Sequence, residues 1–412
     1  MERYDLIVVG AGPAGLFAAA RTGAGGGKVL LLEKKKKPGR KLLVSGSGQC
    51  NITHAGSVTE FFTRYGKHGQ FLKPALRAFT NADLIAHVTG RGVPLTTEEG
   101  GKVFPTSRKA QDVLDLLLAE CREAGVTVQC GEPVVAVEKT GDGFFVRTAT
   151  GEYRSAFLLI ATGGASYPAT GSTGDGYAFA ASLGHTIVRT APALTPVTVR
   201  DYPFADLAGI SLQDVTVSLF RDGKKIGDRR GDLLFTHEGL SGPAILDLSR
   251  FIEPGDTLVV PVLPEAMREE ITAALAGGGG ARVRPVLSRY PVPERLLKRI
   301  IDLSDVPPET TCAHLTKAAR TCLLQHLTAC TFTVAALGGY SIAIVTRGGV
   351  ALDEVNPKTM GSKCVDGLFF AGEVLDIDGD CGGFNIQAAF STGALAAGAV
   401  LRRLSETKEG ST

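Results

Sequence analysis

Apolar residues first gather over Tyr4 to Val9, a run that stops at Gly10. Pro13 to Arg21 is then alanine-rich, and Lys28 to Leu32 is a second apolar run ending on Glu33. Two apolar runs separated by a glycine turn and a helical stretch, within about 30 residues, predict a strand–turn–helix–strand unit. From Phe71 to Gly125 apolar positions recur at helical spacing, most clearly over Ala110 to Ala124, so helices are expected after the second strand. The period then shortens. Over Glu132 to Ile160, Val135, Val137, Phe145 and Val146 lie in segments broken by Gly141, Asp142, Gly143 and by Thr150, Gly151, the pattern of a small antiparallel meander.

Ser155 to Gly164 runs as an apolar strand into Ala161-Thr162-Gly163-Gly164. After Pro192 and Pro196 the texture changes, with strands around Val215 to Phe220 and Leu233 to Phe235 and then helical spacing from Glu265 to Thr328. Within that stretch Gly277 to Gly280 reads as a flexible surface connection. From Gly367 a strand returns at Leu368 to Ala371, turns at Gly372 and leads to a last helix beginning near Gly383. A chain of 412 residues exceeds what one hydrophobic core usually spans, so more than one domain is expected. The organisation predicted is one domain from 1–192 and 336–412, interrupted by an inserted region at 193–335 that is strand-rich over 193–262 and helical over 263–335.

Composition narrows the class. With 44% hydrophobic and 21% charged residues and a net charge of +2, the chain reads as an ordinary globular protein, and the near balance of charge argues against a nucleic-acid partner. Eight cysteines without a CxxC pair or zinc-ligand spacing are read as reduced thiols, and no metal site is expected. The apolar start lacks a basic flank and is interrupted by glycines, so it is not read as a signal peptide; no membrane partner is expected, and the location predicted is cytoplasmic.

Gly10, Gly12 and Gly15 spell GxGxxG directly after the first strand and at the opening of a helix. The first glycine permits the tight turn, the second lets backbone approach a pyrophosphate, and the third lets helix pack on sheet. Ala14 lies in the same turn, and Glu33, ending the next strand, is placed to accept hydrogen bonds from ribose hydroxyls. More than 300 residues later, Leu368-Phe369-Phe370-Ala371-Gly372-Glu373 is a second strand ending in Gly-Glu. It resembles the distal element of flavoproteins of the glutathione-reductase and succinate-dehydrogenase type, where the acid holds the ribityl chain. That pairing favours FAD over NAD. Gly382, Gly383, Phe384 and Asn385 then open the last helix, where backbone N–H groups can face the flavin carbonyl beside N1. The fold class expected is therefore α/β, a Rossmann-like three-layer FAD-binding domain.

Longer stretches carry a resemblance. Gly39-Arg40-Lys41-Leu42-Leu43-Val44-Ser45-Gly46-Ser47-Gly48-Gln49-Cys50-Asn51-Ile52-Thr53, Ala161 to Pro168 running on through Gly171 to Gly176, Phe235 to Pro243, and Cys381 to Gln387 are similar to a bacterial family of NAD(P)/FAD-dependent oxidoreductases. That family includes aminoacetone oxidases and bile-acid-pathway flavoprotein reductases. The resemblance covers nearly the whole chain and implies a β-barrel-like and a helical insertion. It places Lys34, Arg40, Lys41 and Ser45 near the cofactor, Val134 near adenine, and Ala161, Thr162 and Gly163 near the dinucleotide. Gln49 stands where an arginine is common in the family.

The function expected is that of an FAD-dependent oxidoreductase acting on a small organic substrate, with hydride passing through flavin N5. No second GxGxxG is visible, so NAD(P)H would bind as a transient co-substrate, or dioxygen would reoxidise the flavin. Alternatives are an amine oxidase of the aminoacetone type, an FAD-dependent RNA-modifying protein, and a non-catalytic flavin sensor. Cys50 and Cys381 lack the partner spacing of a disulfide reductase. His237, in Thr-His-Glu-Gly-Leu-Ser-Gly-Pro, is the candidate acid–base group.

Overall fold

Arg3–Val9 forms the middle of a parallel sheet because its apolar side chains need cover on both faces: Leu6, Ile7 and Val8 are completely buried. In the computed structural model, which describes residues 2–409, this strand pairs in parallel with Val29–Glu33 on one side and Glu152–Ile160 on the other, Leu6 facing both Val29 and Phe157. Thr127–Cys130 extends the sheet beyond Val29–Glu33. Past Glu152–Ile160 the sheet divides. The first half of that strand pairs antiparallel with Gly143–Thr148, which continues into Val134–Thr140, while its second half takes Leu368–Phe370 in parallel. A segment from the far end of the chain is thereby set beside the first strands. The carboxyl ends of four parallel strands, leading into Gly10, Glu33, Ala161 and Ala371, share one edge, where ligands bind in open α/β sheets.

The last helix, Phe384–Glu409, packs on the first, Pro13–Ala24. It is long and apolar enough to cross a membrane by composition, yet 72% of its apolar window is buried inside this unit, as in a core helix. Close approach depends on small residues, since a Cβ at Gly393 would lie 2.6 Å from the Ala14 carbonyl oxygen. Helices expected from Phe71 to Gly125 are present but begin earlier, with Val58–Arg64, and Thr53–His54, Leu95–Thr97 and Lys102–Pro105 add a small antiparallel sheet whose strands are too short to show a period.

The chain divides into two compact units, one running to Pro192 and resuming at Tyr340, the other Ala193–Gly339. The second is a closed six-stranded barrel with strand order Val197–Val199, Gly239–Ser241, Lys224–Phe235, Ser211–Arg221, Thr257–Val260, Cys330–Leu337. Its core is its own, built around Val217, Leu219, Leu233, Phe235, Leu258 and Phe332. The helices, from Arg268–Gly277 to Lys317–Thr328, are inserted between the last two strands. The helical stretch therefore does not run to 335: Cys330–Leu337 returns to close the barrel, its alternating burial masked in sequence by the helix just before it. The Gly277 to Gly280 tract is a hydrogen-bonded turn, with Gly278 so close to Cys312 that a Cβ would lie 2.6 Å from its sulfur. Ile187–Ala193 and Val345–Val350 pair as a two-stranded sheet, which holds the chain's departure from the first unit beside its return.

Candidate functional site

The three glycines of the first turn do different work. Gly10, at φ +105°, packs so tightly that a Cβ would lie 2.5 Å from the Ala161 carbonyl oxygen; one at Gly15 would lie 2.0 Å from the carbonyl oxygen of Gly10. Gly12 is the opposite case. It caps the first helix in extended conformation, and a Cβ there would meet nothing within 4 Å. Packing therefore requires Gly10 and Gly15, whereas Gly12 borders open space in front of a helix N-terminus, a cradle an anion can fill. Glu33 supports the same turn, accepting from the amides of Ala11 (3.0 Å) and Lys35 (2.8 Å), with lone pairs left for a ribose. Buried Ala14 lies beneath Gly372, and half-buried Val134 opens its strand at the adjoining sheet edge.

The basic loop after Glu33 is tied to distant acids. Lys34 donates to Asp175 (2.6 Å) and to Thr173; burial pushes the Asp175 carboxyl up, but Lys34 and Thr173 outweigh it and hold the group below the usual carboxylate range. Lys41 donates to Glu373 (2.5 Å) and Ser166 (2.9 Å), and Glu373 also accepts from Ser166 (3.1 Å) and from the Thr346 amide (2.8 Å). In the structure as it stands, Lys41 and Glu373, expected at phosphate and ribityl positions, thus neutralise one another. Arg40 is exposed at the first turn of Arg40–Val44, and the Ser45 hydroxyl donates to the Leu42 carbonyl (2.6 Å). Ala161 is held by its amide to Val9, and Gly163, at φ +73°, passes close to Glu373. The Thr162 hydroxyl is buried with no hydrogen-bond partner among the described residues, as is the Tyr177 hydroxyl. Buried polar atoms seldom stay unpaired, so these two fit a ligand better than an empty wall. Thr346, although central to this network, carried no signal in sequence.

At the opening of the last helix, Phe384 turns its ring into the core, stacked on His54 (4.9 Å, 21°) and edge-on to Phe61, and its carbonyl accepts from the buried Tyr65 hydroxyl (2.8 Å). Gly383 has φ +94°, and a Cβ would lie 2.4 Å from the Thr53 carbonyl oxygen. Its amide donates to the Asn51 side-chain carbonyl (3.1 Å) with that amide group turned to satisfy its neighbours. Of the backbone donors expected to face a flavin, Gly383 is therefore already engaged. Asn385 closes the preceding loop, accepting from the Gly379 amide (2.7 Å) and donating to the Gly379 carbonyl (3.0 Å).

That loop carries three acids that sequence reasoning passed over, Asp376, Asp378 and Asp380, each less than 9% exposed. Burial pushes the Asp376 carboxyl up, against the pull of His68 (3.6 Å), and Arg64 lies 3.6 Å from Asp380. The clustering of aspartates at alternate positions was the available clue. Burial also drives the Cys50 thiol up to about 12, which suits a packed side chain and not a redox group. Cys381 is half-buried and forms no disulfide. His237 is exposed on the turn between Lys224–Phe235 and Gly239–Ser241, in the second unit.

Comparison with known proteins extends this picture. Residues 4–399 match the family model described as HI0933-like protein Rossmann domain. The ribosomal RNA dihydrouridine synthase of Escherichia coli is 34% identical, covering 95% of this chain and 96% of its own, and that of Haemophilus influenzae is 33% identical over 95% and 97%. The 3-dehydro-bile acid delta(4,6)-reductase of Clostridium scindens is 31% identical over 96% and 98%. In fold, a 3-ketosteroid delta1-dehydrogenase from Sterolibacterium denitrificans is similar with a TM-score of 0.51 at 13% identity, over 98% of this chain and 100% of that one.

Proposed function

This chain belongs to the HI0933-like Rossmann family and is an FAD-dependent oxidoreductase, and from that premise we propose that it is a reductase of carbon–carbon double bonds conjugated to a carbonyl, with a uracil base of ribosomal RNA as substrate. The observation that carries the reading is a shared chemistry among the relatives. A dihydrouridine synthase saturates the C5–C6 double bond of uracil, which is conjugated to the C4 carbonyl, and a delta(4,6)-reductase acts on double bonds in conjugation with a ketone. Two of the relatives described above carry the ribosomal RNA name and match along nearly their full length. The net charge of +2, which argues against a nucleic-acid partner for the chain as a whole, is outweighed here by these relatives, because phosphate contacts depend on local patches. A small conjugated ketone is the second reading, favoured by the bile-acid reductase.

Bound FAD supplies the hydride through flavin N5. In this reading Gly10, Gly12 and Gly15, with the N-terminus of the first helix, receive its pyrophosphate, and Glu33 its ribose. Lys41 and Glu373, with Ser166, hold the segment between. The amides of Gly382 and Phe384 serve the flavin, their neighbour Gly383 being held by Asn51. Reduction also needs a proton on the carbon next to the carbonyl, and the His68–Asp376 pair is the candidate group to deliver it, its carboxyl being buried and pushed up from the ordinary carboxylate range by that burial. A reductase draws electrons in, so NAD(P)H fits as donor and dioxygen only as a competing drain.

The test is anaerobic. Holoenzyme reduced with NADH or NADPH is mixed with a ribosomal RNA transcript or with a conjugated ketone, following flavin reoxidation and the product mass. Reoxidation by RNA, with a uridine gaining two hydrogens, is expected. Reoxidation by the ketone alone transfers the assignment to small molecules, and reoxidation by neither refutes the chemistry.

A further inference from the structure

Away from the glycine turn, His185, Glu354 and Cys364 bring an imidazole nitrogen, a carboxylate oxygen and a thiol sulfur within 4.8 Å of one another. We propose that these three side chains form a site for a zinc-type divalent metal, with His185 Nδ1, a Glu354 oxygen and the Cys364 thiolate as ligands and solvent completing the set. The first support is the imidazole. Its side chain is 0% exposed, and Nδ1 lies 3.2 Å from Glu354 Oε2 without the alignment of a hydrogen bond, so this buried nitrogen has no hydrogen-bond partner among the described residues. Two ligands about 2.0–2.1 Å from a tetrahedral ion stand about 3.3 Å apart. The separation of Nδ1 and Oε2 is that of two ligands of one ion.

The second support is the surrounding shell. His185 Nε2 lies 2.7 Å from the Ser362 hydroxyl, which fixes the ring with Nδ1 on the side of Glu354; a metal on Nδ1 requires the tautomer in which Nε2–H donates to Ser362. The ring edge also rests on Phe370 (4.8 Å, 75°). Glu354 Oε2 is held by the Thr186 amide (2.8 Å), and the Cys364 amide donates to the same Ser362 hydroxyl (3.0 Å). His185 and Glu354 are thus held at their side chains, and Cys364 through its backbone amide. Cys364 is exposed, giving an ion a route in from solvent and leaving its side chain free to close the remaining distance. Nitrogen, oxygen and sulfur donors together suit zinc better than magnesium or calcium, which take oxygen ligands. A bound ion would tie the turn after Asp175–Ser182 to the segment before Leu368–Phe370.

The experiment lets FAD-loaded, chelator-treated protein compete with a chromophoric chelator for Zn2+, and takes X-ray absorption of the zinc-loaded form. One zinc per chain with a sulfur neighbour is expected. Cys364→Ser, a change at an exposed position, should remove the sulfur neighbour and weaken binding roughly tenfold or more with FAD content unchanged. Absence of zinc binding, zinc without sulfur, or a Cys364→Ser protein binding as tightly as wild type would overturn the site.

Discussion

Asp376 shows what a single residue can disclose. Its carboxyl is pushed up chiefly by burial, with Asp378 adding to the effect and His68 and Lys67 opposing it. The folded state therefore binds this proton more tightly than the unfolded chain does. The stabilisation is complete below the ordinary carboxylate pKa of about 3.9 and is lost as pH rises through the folded value. Asp376→Asn cannot ionise, so it should melt above wild type at pH 7.5, with the advantage disappearing toward pH 4, while turnover falls. Thermal melts at both pH values together with substrate-driven flavin reoxidation check this. Equal melting temperatures would show that the carboxylate is satisfied where it lies, and unimpaired turnover would remove it from proton delivery. Gain of stability with loss of activity is the expected mark of a group kept for function.

At the scale of the element, the first helix start separates two uses of glycine that look alike in a motif. Gly15→Ala places a methyl 2.0 Å from a backbone oxygen, and the helix must shift from the sheet, at a cost of about 1–3 kcal/mol in the unliganded protein. Gly12→Asp places its Cβ in open space, so the unliganded melt should match wild type while FAD is lost to charge repulsion and occupied volume. Denaturant melts and released-cofactor measurement on both variants distinguish them; retention of FAD by Gly12→Asp would move the pyrophosphate elsewhere. Gly383 behaves like Gly15. With the Thr53 backbone 2.4 Å from a Cβ, a valine there would disturb the helix start before it could report on flavin potential.

For the whole molecule, the decisive feature is that each unit encloses its own apolar core. The chain leaves the first unit after Ile187–Ala193 and returns through Val345–Val350, strands that pair with each other, so the ends of the second unit's segment are held together without it. Replacing 193–339 by a short glycine–serine linker should leave a folded protein that retains FAD, with turnover of RNA or ketone abolished. Cofactor content and near-UV circular dichroism measure the first outcome and anaerobic reoxidation the second. An insoluble product would show that the cores depend on one another, and retained turnover would show that 193–339 takes no part in substrate choice.

Sequence by itself determined what local rules govern: the strand, glycine turn and helix at Gly10 to Gly15, the meander ending at Ile160, the Gly372-Glu373 strand end, and the start of the last helix. Each is a short-range pattern in which side-chain period and backbone freedom act within one element. Tertiary structure decided what depends on residues far apart in the chain. It gave Cys330–Leu337 to the barrel, because closing a sheet needs a partner strand and not a local period. It tied Lys41 to Glu373, and it engaged the Gly383 amide with Asn51. It also set His185, Glu354 and Cys364 together, although no metal spacing links them along the chain. Pairing and burial are properties of the packed molecule, since they arise only where separate segments exclude water from one another.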